Sequence, residues 1–162
     1  MEERLFPETG DQVSRALGAA YRYLNRRERS ESELRSHLAG RGFDSPVLDA
    51  ALEILRDHGY VDDARFARMF AQDKRALEQW GGERIERALR SRGIERELIV
   101  EAISQEPPGA EADRALELLQ RRFHSPPADA RERERALGVL LRKGFDSELA
   151  LEAIASYVRE PR

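Results

Sequence analysis

The sequence predicts an all-α fold made of three tandem three-helix repeats in an elongated, curved arrangement. Apolar residues recur at three- and four-residue steps along most of the 162 residues, and no stretch shows the β-branched alternation of a strand. A basic-Gly-bulky triplet occurs as Arg41-Gly42-Phe43, Arg92-Gly93-Ile94 and Lys143-Gly144-Phe145, with the glycines 51 residues apart at both steps. Each repeat is too small to bury its own core well, so the three must pack on their neighbours.

The triplet has a mechanical reading. Glycine just past a helix end takes the left-handed conformation, and a Schellman end then packs the following apolar residue onto the residue four before the glycine. The pairs are Leu38 with Phe43, Leu89 with Ile94 and Leu140 with Phe145. Arg41, Arg92 and Lys143 stand where the carbonyl end of a helix favours a cation. Stopping a helix is a sufficient account of Gly42, Gly93 and Gly144.

In chain order, residues 1 to 10 lack periodicity, contain Pro7 and read as a flexible tail. Repeat 1, residues 11 to 60, opens with a helix over 11 to 27 carrying Val13, Leu17, Ala20, Tyr21 and Leu24. Ser30 and Glu33 form a capping box for the second helix. Asp44-Ser45-Pro46 starts the third, which ends before Gly59. Repeat 2, residues 61 to 106, begins with an aspartate of the Asp62-Asp63 pair as cap. It breaks at Trp80-Gly81-Gly82 and continues as a short helix with Ile85, Ala88 and Leu89 on one face and Arg84, Arg87 and Arg90 away from them. Pro107-Pro108-Gly109 is the clearest linker, because successive prolines cannot continue a helix. Repeat 3, residues 107 to 162, follows the same order, with a second break at Pro126-Pro127.

Composition narrows the function. Charged residues are 36% of the chain but the net charge is −3, so charges are interleaved on solvated faces and no bulk case for nucleic acid arises. The absence of cysteine rules out disulfides and thiolate metal sites. With no apolar leader and no 18-residue apolar run, a cytoplasmic protein without membrane contact is expected. His37, His58 and His124 share no ligand spacing, and Gly81-Gly82 lacks the Lys-Ser or Lys-Thr of a phosphate cradle. Helix capping accounts for Asp62 and Asp63. Neither a metal, a cofactor nor an enzyme is expected.

What remains is surface. The Arg84, Arg87, Arg90 stripe can meet phosphates, an acidic partner or water, with Glu83 and Glu86 beside it. Arg22, Arg26, Arg27 and Arg29 form a second basic tract, which favourable charge at a helix C-terminus also explains. Trp80 between two helices is either a binding anchor or a lid on a local core.

Tyr60-Val61-Asp62-Asp63, Arg65-Phe66-Ala67, Trp80-Gly81, Arg84-Ile85, Leu89-Arg90 and Arg92-Gly93-Ile94 together resemble the signature of the RecX family of bacterial recombination regulators. The match is specific over about 35 residues, and the Gly42 and Gly144 copies fit that family's three-repeat layout. Gly82 departs from it, standing where the family commonly has proline. The resemblance implies a non-enzymatic modulator of the RecA recombinase, and a monomer is expected. Such a protein binds the RecA filament on single-stranded DNA, inhibits its ATPase and strand exchange, and can bind DNA directly. On this reading Tyr60, Asp63 and Phe66 fix the junction of the first two repeats, while Arg84, Arg87, Arg90, Arg26, Arg27 and Trp80 face the partner. A nucleic-acid-binding helical repeat acting without RecA and a generic helical scaffold are the alternatives.

Overall fold

The computed structural model describes residues 5–161, and side chains from Thr9 onward. Among the described residues there are nine helices and no strand. They are α1 (Leu5–Leu24), α2 (Glu31–Gly40), α3 (Ser45–Asp57), α4 (Asp63–Glu78), α5 (Gly82–Ser91), α6 (Arg96–Ser104), α7 (Ala110–Arg122), α8 (Ala130–Lys143) and α9 (Ser147–Arg159). They form three three-helix modules in tandem.

The helix starts follow their caps. Ser30 accepts from the Glu33 N–H and Glu33 returns the bond to the Ser30 N–H, a full capping box at α2. Asp44, Asp129 and Asp146 each accept a backbone N–H at the start of α3, α8 and α9. Helix α1 departs from expectation at both ends. It begins at Leu5 rather than at residue 11, because Pro7 falls in the first turn, where no intrahelical N–H is needed. Leu5 to Gly10 are therefore helix rather than tail, and Met1 to Arg4 lie outside the described residues. It stops at Leu24, so Arg26 and Arg27 follow the helix instead of closing it.

Helix ends follow the glycines. Gly42 and Gly144 are left-handed, with φ of 93° and 95°, and the next N–H in each case returns to the carbonyl of Leu38 or Leu140. The break after α4 comes one residue before Trp80: Gln79 is left-handed at φ 55°, a conformation that costs a non-glycine residue about 1 kcal/mol or more.

The chain forms two compact units. One takes in the described residues up to Phe66 together with Ser91–Glu95, and the other Ala67–Arg90 with Arg96 onward. In the first unit Leu34, Leu38, Leu48, Leu52, Leu55 and Val61 make a buried core against which Phe43 packs, so Leu38 and Phe43 share one cluster. In the second unit Leu119, Ala136, Leu140, Phe145, Ile154 and Tyr157 belong to one cluster, again uniting the Leu140 and Phe145 of a triplet. The Tyr157 hydroxyl donates to the Phe123 carbonyl at 2.9 Å, which satisfies its polar end inside that core.

The second unit also encloses charge. Arg75 and Arg114 both pair with Glu106, and all three side chains are at most 14% exposed. Arg114 donates further to the Trp80 carbonyl, and Arg75 to the Ile103 carbonyl. Burial lowers the Arg75 pKa and the Glu106 carboxylate opposes that shift.

Candidate functional site

The glycine triplets do more than end helices. In the first unit, the Ser30 hydroxyl at the head of α2 donates to the carbonyl of Arg92 at 2.6 Å. A Cβ on Gly93 would lie 2.3 Å from the Cβ of Ser32, well inside contact distance. Arg92 completes the contact by pairing with Glu33 at 3.8 Å.

In the second unit the same joint is built from backbone. The Gly81 N–H donates to the Lys143 carbonyl at 2.8 Å, and the Glu83 N–H to the Gly144 carbonyl at 3.0 Å. A Cβ on Gly144 would sit 2.2 Å from Arg84 Cβ, and one on Gly81 would sit 2.4 Å from the Gly144 carbonyl. Lys143 donates to the Glu78 carbonyl. At both joints the donors at a helix head meet the carbonyls of another helix's end, the electrostatically favoured pairing of opposite dipole ends. The reading of Gly93 and Gly144 as helix stops alone is thereby corrected. Gly82, the residue in the family's proline position, donates its N–H to Glu111 at 2.7 Å, a bond that proline cannot make.

Of the signature residues of the first unit, Asp63 reaches the head of α2. Asp62 accepts the Arg65 N–H and caps α4, whereas Asp63 accepts the Glu31 N–H at 2.8 Å and so serves α2. Desolvation raises the Asp63 pKa above the usual carboxylate value, and the Glu31 N–H partly offsets that. Tyr60 meets Tyr21 edge to face at 5.1 Å, and Phe66 is buried.

The cationic residues separate into two kinds. Arg84 is engaged within the second unit: its guanidinium lies 4.1 Å from the Trp80 ring centre and donates to the Arg142 carbonyl. Trp80 is half-buried, edge-on to Phe70, with Lys74 also over its ring. Arg87 is exposed, and the exposed Arg90 pairs with Glu86. In the first unit Arg27 pairs with Glu33, and Arg26 is exposed. Nearby, Arg29 lies over Tyr23, which stacks on His37 at 3.8 Å. Burial, then Arg41, Arg29 and Arg26, push the His37 pKa below its ordinary value.

One cationic surface escaped the sequence reading. In the second unit a groove of about 510 Å³ is lined by Arg122, Phe123, His124, Arg135 and Arg142 and by one carboxylate, Glu132, which accepts the Ala128 N–H. A neighbouring one of about 310 Å³ shares Arg122 and Arg142 and adds Arg84 and Lys143. Arg122, Arg135 and Arg142 form no ion pair among the described residues, whereas Arg27, Arg35, Arg56, Arg65 and Arg90 all do. The signal was present as cations on α7 and α8, yet their convergence depends on packing.

Among the described residues no group of three His, Cys, Asp or Glu could hold a metal, and no helix is long and apolar enough to cross a membrane.

The fold and its joints define a tandem helical-repeat protein of three three-helix modules. Models of the first, second and third three-helix domains of RecX match residues 16–55, 62–103 and 110–154 in that order. The chain belongs to the RecX family. It is 39% identical to the regulatory protein RecX of Chromohalobacter salexigens over 136 residues, 84% of this chain and 88% of the relative. Against that of Mycobacterium avium it is 32% identical over 155 residues, 94% and 88% of the two chains. A crystal structure of regulatory protein RecX superposes with a TM-score of 0.78 at 25% identity, covering 96% of this chain and 78% of the other. The structure of RecX from Lactobacillus salivarius gives 0.81 at 18% identity, covering 93% and 98%, and speaks to the fold alone. The role shared with these relatives is regulatory.

Proposed function

We propose that this chain binds the RecA filament on single-stranded DNA and inhibits its ATPase and recombinase activity without performing chemistry of its own. The observation that carries the reading is the ordered match of all three modules to a family of recombination regulators. The surface chemistry supports it. Arg87, Arg122, Arg135 and Arg142 stand without ion pairs among the described residues of a chain of net charge −3, which suits a partner presenting carboxylates or phosphates at particular points. Guanidinium groups bind both bidentately. The test mixes the chain with RecA, single-stranded DNA and ATP. ATP hydrolysis falls as the chain approaches stoichiometry with RecA, and an unchanged hydrolysis rate overturns the reading.

The unpaired cations beside Phe123 also favour a second reading, direct contact with single-stranded DNA without RecA. Affinity measured on DNA alone would then fall steeply between low and moderate salt.

A further inference from the structure

We infer that Arg41-Gly42 is an unfilled copy of the joint: a socket for the N-terminal end of a helix carried by a protein partner. The triplet at Gly93 receives Ser30 and Ser32, and the triplet at Gly144 receives Gly81 and Arg84. In both, glycine permits a close approach that a Cβ would block, by the Ser32 side chain at Gly93 and by Arg84 at Gly144, and the cation before it grips the docked segment, Arg92 on Glu33 and Lys143 on the Glu78 carbonyl. Gly42 has the same left-handed backbone, at φ 93°, and the same Schellman bonds. A Cβ built on it meets nothing within 4 Å among the described residues. Arg41 and Gly42 are exposed, and Arg41 forms no ion pair among the described residues. Among the described residues three sockets are thus present and two are filled.

The two filled sockets define the chemistry of the missing occupant. It presents free N–H or hydroxyl donors at a helix head, a small or flat approach surface, and an acceptor for Arg41. A second copy of this chain does not supply it through α8. The cap of that helix, Asp129, only accepts, from the Glu132 N–H, and has no proton to donate, whereas the self-capped Ser30 still donates its hydroxyl to Arg92.

The inference uses the recombinase reading only to choose the partner for one of its two assays. Gly42→Asn adds a side chain that tolerates the left-handed region, and Arg41→Glu removes the grip without touching the backbone. We expect both full-length variants to keep the parent's helical content. Filament affinity on single-stranded DNA, read by anisotropy, falls at least tenfold in each. In the second assay the isotope-labelled parent is titrated with a synthetic peptide copying residues 78 to 91, the segment seated at Gly144. Amide shifts centre on residues 41 to 43 and vanish in Gly42→Asn. Parent-like filament affinity in both variants overturns the socket, as does a titration that leaves residues 41 to 43 unmoved. Should Gly42→Asn misfold, Arg41→Glu decides the filament assay and its titration the peptide assay. A parent inert toward the filament overturns the recombinase reading instead, and the peptide titration then decides the socket alone. Self-association of the parent that Gly42→Asn abolishes assigns the socket to a second copy and overturns the choice of partner.

Discussion

Asp63 accepts the backbone N–H of Glu31 at 2.8 Å, while its neighbour Asp62 caps the helix to which Asp63 itself belongs. Two adjacent aspartates therefore fix the heads of two helices. Desolvation raises the folded pKa of Asp63 above its ordinary value of 3.8, so the folded state binds more protons there than the unfolded chain. The contribution of this group to stability then falls as pH rises from 3.8 through the raised folded value. Asp63→Asn keeps the acceptor and removes that charge. Its stability relative to the parent increases across this window, as paired denaturant titrations at pH 3.5 and 6.5 would show. Asp63→Ala loses the bond and is less stable by about 1–3 kcal/mol.

The three triplet glycines separate by consequence. Gly144→Ala places a Cβ against Arg84 backbone in a left-handed residue, and we expect a loss of about 3 kcal/mol or more. At Gly93 the obstacle is the Ser32 side chain, so Gly93→Ala costs less, about 2 kcal/mol. Gly42→Ala meets no obstacle among the described residues and bears only the backbone cost of about 1 kcal/mol. Thermal melts of the three variants check the order.

Removing the carboxylate between two enclosed guanidinium groups leaves like charges facing each other. Glu106→Gln should destabilise the second unit by about 3–5 kcal/mol, whereas an exposed pair such as Arg90 with Glu86 contributes under about 1 kcal/mol. Chemical denaturation of Glu106→Gln and Glu86→Gln separates the two cases.

Gly82→Pro restores the residue common in the family and deletes the N–H that Glu111 accepts. A hydrogen bond to a charged group contributes about 1.5–3 kcal/mol, and the stiffer unfolded chain returns about 0.4–1 kcal/mol. The net loss is about 1 kcal/mol. In a Glu111→Ala background the same substitution becomes neutral or stabilising, and a double-mutant cycle reads the difference.

Charge reversal in the unpaired groove tests the partner surface. Arg122→Glu with Arg135→Glu leaves the melting temperature within a few degrees, since neither side chain makes an ion pair among the described residues, and weakens inhibition of RecA ATPase at least tenfold.

Much of the fold was legible because its signals are local. Ser30 with Glu33, Asp44 before Pro46, and Gly42, Gly93 and Gly144 each act on residues within one helical turn. The second role of Gly93 was not legible, because it depends on Ser32, sixty-one positions upstream. Arg84 looked like part of an outward stripe on a helical wheel, but Trp80 and the Arg142 carbonyl draw its guanidinium to themselves. Glu106, the last residue of repeat 2 before two prolines, drew no role from the sequence, yet it pairs with both Arg75 and Arg114. Arg122, Arg135 and Arg142 belong to two helices whose approach no periodicity announces.

The enclosure of Glu106 by Arg75 and Arg114 has a practical bearing on ionic strength. Mobile ions screen exposed charges over about 10 Å at 0.1 M and reach enclosed ones far less. Raising potassium chloride will therefore dim the attraction of Arg87, Arg122 and Arg135 for any ligand while the interior clasp holds, so a salt series on this molecule reports association and not melting.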